Sequence, residues 1–369
     1  MTEPVITETA HDTQLLELAR EALWQAVCGR DEYAARGVVF ALQDTGVSVE
    51  DVLLDVVAPV QRRVGAEWAA DRLTVAQEHA ATAIHERVIA ALAHRKGEPA
   101  PDGAAGTVAV SCVEGEWHAL PARIVAEVLQ QRGYRVDFLG AQVPTARLVT
   151  HLHQTAPVAL ALSSSLPTRL ADAHKAITAA QAVGVPVLAG GAAFGADGRH
   201  ARRLGADAWA PDARSAVAVL DRGLPRPRSG AVRQTVEDLP HLVDQEYTLI
   251  VRRKRQLVRN TLSGLDTRLP AMRSYGDAQR ERTAEDIGHI VEFLAAALYT
   301  DDADLFAGFI GWTGDILSAR GVPARVLAPC LAVLEEELKD FPRALGVLAA
   351  GRAVVGGATP PAPRGVPTA

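Results

Sequence analysis

Between residues 107 and 221 the chain alternates short apolar β-type runs with amphipathic stretches, without a break. The reading is strand 107–112, helix 119–132, strand 134–138, helix 144–154, strand 157–162, helix 168–183, strand 185–189, helix 196–204, strand 206–210 and helix 212–221. Strands that alternate with helices of this length predict a parallel sheet covered on both faces, a doubly wound five-stranded α/β unit. Its strand-to-helix turns then emerge at the carboxyl edge, where open α/β sheets bind their ligands. Those turns carry Glu116-Trp117-His118 after the first strand and Ser163-Ser164-Ser165 after the third. Gly190-Gly191 follows the fourth strand and Pro211-Asp212 the fifth. A carboxylate two residues before a histidine can accept the second ring N–H of a metal-bound imidazole, fixing its tautomer. Alone, such a pair is more often an ordinary polar loop.

The 369 residues leave room for further domains on either side. Pro/Gly/Ala-rich stretches at 96–106 and 223–230 read as linkers, giving expected domains over 11–96, 105–223 and 238–355. A net charge of −6 offers no basic field for nucleic acid. The cysteines, Cys28, Cys112 and Cys330, have no metal-binding spacing, and neither a signal peptide nor an apolar run of membrane length is read. A cytoplasmic protein away from the membrane is expected.

Ahead of the sheet, after a polar tail of about ten residues, helices are expected near 13–28, 31–44, 49–65 and 75–95, an up-down four-helix bundle. Ser48 with Asp51 and Thr74 with Gln77 read as capping boxes, and Val52, Leu53, Val56, Val57 and Val60 as a core stripe. Trp68 falls in the third connection, followed ten residues later by Glu78-His79. The bland account is a Trp closing the bundle core and a solvated polar pair.

The loops of the sheet resemble the cobalamin-binding domain of corrinoid proteins, a flavodoxin-like unit. Its motif, an acid-x-His-x-x-Gly loop, then Ser-x-Leu, then Gly-Gly, stands here as Glu116-Trp117-His118-Ala119-Leu120-Pro121, Ser164-Ser165-Leu166 and Gly190-Gly191. The resemblance implies cobalt as the metal and His118 as its lower axial ligand. It implies a nucleotide tail beside the first strand, met by Ser163, Ser164 and the glycines. Pro121 departs from the motif's Gly and puts the loop's path in doubt, although Pro is tolerated in a first helical turn. The bundle resembles that of adenosylcobalamin photoreceptors of the CarH repressor type through Trp68 and Glu78-His79, which there pack round the adenosyl group. Where those repressors have a second cobalt-binding His, this chain has Ala69, leaving His79 or His85 as the nearest other donors. The segment before the bundle is too short for a DNA-binding helix-turn-helix, so a repressor of that type is not expected.

Beyond residue 238 long helices are expected at about 239–263, 277–299, 302–319, 323–340 and 342–353. Thr283–Leu294 and the domain order resemble the globin-like, bilin-binding domain of photocobilin photoreceptors. That resemblance implies biliverdin, with Arg252, Arg253, Arg259, Arg282, Asp286, His289, Tyr275 and Trp312 as candidate contacts; Cys330 reads as a buried thiol in preference to a point of covalent bilin attachment. The plain alternative is a helical dimerisation domain. The expected protein is a non-catalytic light sensor that binds adenosylcobalamin and biliverdin and forms a homo-oligomer that light alters. The rivals are a methyl-carrying corrinoid subunit of a methyltransferase and a cobalamin-responsive adaptor indifferent to light.

Overall fold

In a computed structural model, residues 5–95, 106–227 and 240–357 are described. The N-terminal region comprises α1 (Val5–Cys28), α2 (Glu32–Asp44) and α3 (Val49–Asp51), which runs through a π-helical segment (Val52–Val57) into α4 (Ala58–Ala69), and then α5 (Val75–Arg95). The caps fall as the sequence requires. Ser48 Oγ accepts from the Asp51 amide at 3.0 Å, and Thr74 and Gln77 cap each other reciprocally. Val52, Leu53, Val56, Val57 and Val60 are buried in the bundle core. Two expectations change. The polar tail is helical from Val5, and the third helix does not stop near residue 65. Gly65 is buried, so it serves packing, not chain reversal, and Trp68 rides on the last turn of α4.

The sheet has strands β1 (Thr107–Cys112), β2 (Arg135–Gly140), β3 (Ala159–Ser163), β4 (Val187–Gly190) and β5 (Ala208–Ala210), all parallel in the order β2-β1-β3-β4-β5. Between them run α6 (Ala119–Gln131), α7 (Thr145–Thr155), α8 (Leu170–Ala182), α9 (Arg199–Arg203) and α10 (Ala213–Asp221). The strand order reverses between β1 and β3, so the loops after these two strands part at the carboxyl edge. The expected helix over 196–204 shrinks to a 3-10 turn (Ala192–Phe194) and the short α9. Gly195 and Gly198, at φ +84° and +72°, interrupt helical geometry there.

The C-terminal region is helical: α11 (Pro240–Val243), α12 (Glu246–Arg268), α13 (Asp277–Thr300), α14 (Ala303–Ala319), α15 (Leu327–Glu337) and α16 (Pro342–Val355). The expected helix over 239–263 is broken before Glu246 and reaches Arg268, and the one over 323–340 is reduced to a 3-10 turn (Ala324–Val326) and α15. Ile287, Ile290, Val291, Leu294, Phe306, Leu331 and Leu348 form its core. The expected linkers fall largely outside the described residues.

The regions are fastened to one another by apolar, aromatic and polar contacts. Arg214 of α10 reaches Glu50, Asp51 and Asp55, and Arg132 reaches Glu50 at 2.8 Å, joining bundle to sheet. The C-terminal region touches both of the others. Tyr299 meets His174 of α8 at 2.6 Å and Asp302 meets Arg199 at 2.8 Å, while Trp312 meets Trp68 of the bundle with ring centroids 6.2 Å apart. Among the described residues no helix is long and apolar enough to cross a membrane.

Candidate functional site

A cavity of about 740 Å³ opens between the bundle and the carboxyl edge of the sheet. Trp117 and His118 of the first loop, Ser163 and Ser165 of the third, and Gly190 and Gly191 of the fourth stand on its sheet side. Below them it continues as a slot between the strands and helices α6 and α10. Ala122, Ala161, Ala210, Ala213 and Ala216 line that slot, together with Val110, Ile124 and Leu188. Five alanines where longer apolar chains would close the interior keep the slot open. A buried apolar gap of this kind forfeits packing unless something fills it.

Glu116 organises the rim. It is fully buried, and its Oε1 accepts from the Trp117 and His118 amides at 3.0 Å and from His118 Nδ1 at 2.5 Å. Its Oε2 accepts from the Ser165 and Leu166 amides at 2.8 and 3.0 Å and from Ser164 Oγ at 3.3 Å. Burial alone would raise this carboxyl, but the His118 ring and the converging N–H groups bring it down to about 2. The carboxylate therefore ties the loop after β1 to the loop after β3 across the point where the strand order reverses. His118 Nδ1–H donates a hydrogen bond to the Glu116 carboxylate, which leaves Nε2 as the lone-pair nitrogen on a ring at the cavity wall. A single imidazole held this way suits a metal that arrives with its other ligands; no cluster of three or more metal-binding side chains occurs among the described residues.

The loops place the other sequence candidates unequally. The Ser164 hydroxyl and the Leu166 amide bond Glu116 and neither residue lines the cavity, whereas Ser163 and Ser165 are the serines on its wall. Gly191 has φ +96°, and a Cβ there would lie 2.3 Å from the Ser164 carbonyl oxygen. Its glycine is explained by strand-loop crowding before any ligand is considered. Ala119 lines the cavity beside His118.

The bundle covers the opposite side with Leu54, Ala58, Gln61 and Arg62 from the π segment and α4, Trp68, and Glu78, His79 and Thr82 of α5. The polar members are linked. Gln61 Nε2 donates to Thr82 Oγ1 at 2.8 Å, Thr82 Oγ1 donates to Glu78 Oε1 at 3.0 Å, and His79 Nδ1 meets Glu78 Oε2 at 2.5 Å. Gln61 and Thr82 were not singled out in the sequence, although Thr82 follows Glu78 by one helical turn. The two alternative donors separate here. His79 is on the wall and exposed, whereas His85 is fully buried behind it, with Nδ1 on Gln61 at 2.6 Å and its ring lowered to about 4 by burial.

The C-terminal candidates do not converge on one site. Arg252 and Arg259 lie exposed on α12 with Arg253 beside them, Arg282 is exposed on α13, and Tyr275 packs against the core before α13. Asp286 and His289 are one turn apart on α13. Both side chains stand exposed, and crowding by neighbouring groups that displaces water pushes the Asp286 carboxyl up, against the pull of His289 and Arg320. A hydrogen bond to Glu292, which Lys254 also joins, raises His289. Cys330 is buried, and burial pushes its thiol up to about 12, which makes it an inert core residue. Trp312 faces the bundle instead, packed between Phe309 and Trp68.

Two family profiles match the chain over these parts, both described as a B12 binding domain: residues 19–93, the bundle, and residues 106–220, the sheet. The chain carries B12-binding domains. Its cofactor class is therefore a corrinoid. The B12-binding regions are similar to the trimethylamine corrinoid protein of Methanosarcina barkeri, 30% identical over 123 residues, which is 32% of this chain and 56% of that protein. They are also similar to the HTH-type transcriptional repressor CarA of Myxococcus xanthus, 30% identical over 159 residues, 43% of this chain and 52% of that protein. The chain spans about half the length of the curated relatives it matches. The Methanosarcina barkeri monomethylamine corrinoid protein structure aligns at 18% identity and a TM-score of 0.48, covering 56% of this chain and 99% of that one.

Proposed function

We propose that the protein is a light sensor that holds adenosylcobalamin between its first two domains and reports the state of the upper ligand through its third. His118 Nε2 would bind cobalt from below, the alanine-lined slot would take the nucleotide tail, and Trp68 with the Gln61–Thr82–Glu78 chain would enclose the adenosyl group. The observation that carries this reading is the shape of the cavity. It pairs a tautomer-locked imidazole below with an indole and a hydrogen-bonding row above, as a ligand with an aromatic and a hydroxylated part requires. Adenosylcobalamin supplies a cobalt–carbon bond that light can break. Trp68 would hold one arrangement of bundle and sheet while the upper ligand packs on it; without that ligand those contacts would be lost, shifting the population of arrangements and with it oligomeric state or partner binding.

Biliverdin is the second chromophore of the proposal. Its support is the resemblance of Thr283–Leu294 and the grouping of Asp286 and His289 near Arg320. Absorbance of the purified protein, supplied with both compounds, tests both parts. Green light should change the cobalamin bands, and a red-absorbing band should appear with biliverdin. Cobalamin bands that ignore light would remove the sensor reading, and the absence of a red-absorbing band with biliverdin would remove the bilin.

The likeness to the trimethylamine corrinoid protein favours a second reading, a methyl carrier serving a methyltransferase. A carrier would bind methylcobalamin at least as tightly as the adenosyl form and would gain nothing from Trp68.

A further inference from the structure

Trp68 is the large aromatic side chain that the bundle presents to the cavity, yet the bundle does not support its ring alone. Its aromatic and cationic neighbours come from the C-terminal region. The Trp312 ring lies 6.2 Å away at 41°, and the Arg320 guanidinium carbon lies 5.7 Å from the Trp68 ring. Arg320 Nε also reaches Asp71 Oδ1 at 3.4 Å, three residues beyond Trp68, where the chain turns with φ +59°. Trp312 is backed in turn by Phe309 at 6.2 Å, and Phe309 stacks on Phe293 at 3.7 Å and 6°. The same region is held to the sheet domain through Tyr299–His174 and Asp302–Arg199. The indole on the cavity wall thus rests on an aromatic column of a region that is itself anchored, through Tyr299 and Asp302, to the domain that carries His118.

We infer that Trp312 and Arg320 are positioning residues of the cavity, holding Trp68 against whatever occupies the bundle side. Docking of the C-terminal region and packing of the upper ligand are then one coupled equilibrium. The inference rests on the reading that a cobalamin upper ligand packs on Trp68. Coupling of this kind is reciprocal: a ligand that needs Trp68 in place favours the docked C-terminal region, and undocking weakens that ligand by the same factor. Small upper ligands, which do not reach Trp68, escape the effect.

The test compares affinities of the full-length protein for adenosylcobalamin and methylcobalamin. Wild type, Trp68→Ala, Trp312→Ala, Trp312→Phe and Arg320→Gln are measured in parallel. Losing one aromatic contact behind the indole should lower the adenosyl-to-methyl preference about three- to tenfold in Trp312→Ala, with Trp312→Phe restoring most of it. Hydrogen exchange in α14 should slow when adenosylcobalamin is added to wild type, and much less in Trp312→Ala. Arg320→Gln, an exposed change, gives the same reading in smaller measure should Trp312→Ala fold poorly. A preference lowered in Trp68→Ala but unchanged in Trp312→Ala and Arg320→Gln would overturn the inference and leave the cobalamin reading standing. A preference unchanged even in Trp68→Ala would remove the upper-ligand reading, and the inference with it.

Discussion

Glu116 faces donors on both carboxylate oxygens, amides and a ring N–H at Oε1, amides and a hydroxyl at Oε2. A carboxamide cannot replace it, because whichever way it turns its NH₂ meets N–H groups that also need an acceptor. Glu116→Gln should therefore destabilise the protein by about 2–4 kcal/mol and free His118 from its tautomer, weakening cobalamin binding; urea unfolding and spectral titration measure the two effects. Gly191→Ala should be as damaging for a different reason. Its Cβ would meet the Ser164 carbonyl oxygen at 2.3 Å in a backbone at φ +96° and ψ 162°, a glycine conformation that costs an L-residue about 1–3 kcal/mol before the clash. Unchanged stability in that variant would mean the strand-loop crossing is looser than described. The Glu116–His118 pair was legible in the sequence because its chemistry is local. The role of Ser164 was legible only in part: the motif marks the residue, but which of three consecutive serines faces the cavity depends on the backbone path after β3.

At the scale of elements, the sheet and its helices were plain from periodicity, since strands alternating with helices build a parallel sheet. Helix ends were not. Gly65 reads as a stop and is a buried packing glycine inside α4, while Gly195 and Gly198 do break a helix that the apolar pattern continues. The slot was not legible at all, because alanine is unremarkable in an alanine-rich chain and only the fold shows that Ala122, Ala161, Ala210, Ala213 and Ala216 face one another. Filling it is a sharp test. Ala161→Leu should leave the cobalamin-free protein as stable as wild type, or slightly more so, while lowering cobalamin affinity about 10- to 100-fold by overpacking. Isothermal titration beside thermal unfolding separates the two; retained affinity would place the tail elsewhere.

For the whole molecule, the arrangement of three regions depends on contacts between distant parts of the chain, such as Trp68 with Trp312 and His174 with Tyr299, which leave no local signature. Two buried histidines make this architecture sensitive to acid. Burial lowers His85, in the bundle, to about 4; burial, opposed by Asp302, brings His200, at the sheet's contact with the C-terminal region, to about 4. An unfolded histidine titrates near ~6.5, so between these values the unfolded chain binds more protons. Stability should be complete above about pH 6.5 and fall as the pH drops toward 4, by up to about 1.4 kcal/mol per pH unit for each group. Urea midpoints at pH 7 and pH 5 check the slope, and His85→Gln should reduce it. The central claim is that one protein imidazole, His118, binds cobalt. Electron paramagnetic resonance of the protein loaded with cobalamin and reduced to cobalt(II) reads this directly, in samples with and without uniform ¹⁵N labelling of the protein. The nitrogen splitting should change from a triplet to a doublet on labelling, and His118→Ala should abolish this sensitivity. A splitting that keeps its triplet in the labelled protein, or that survives His118→Ala unaltered, would contradict the claim.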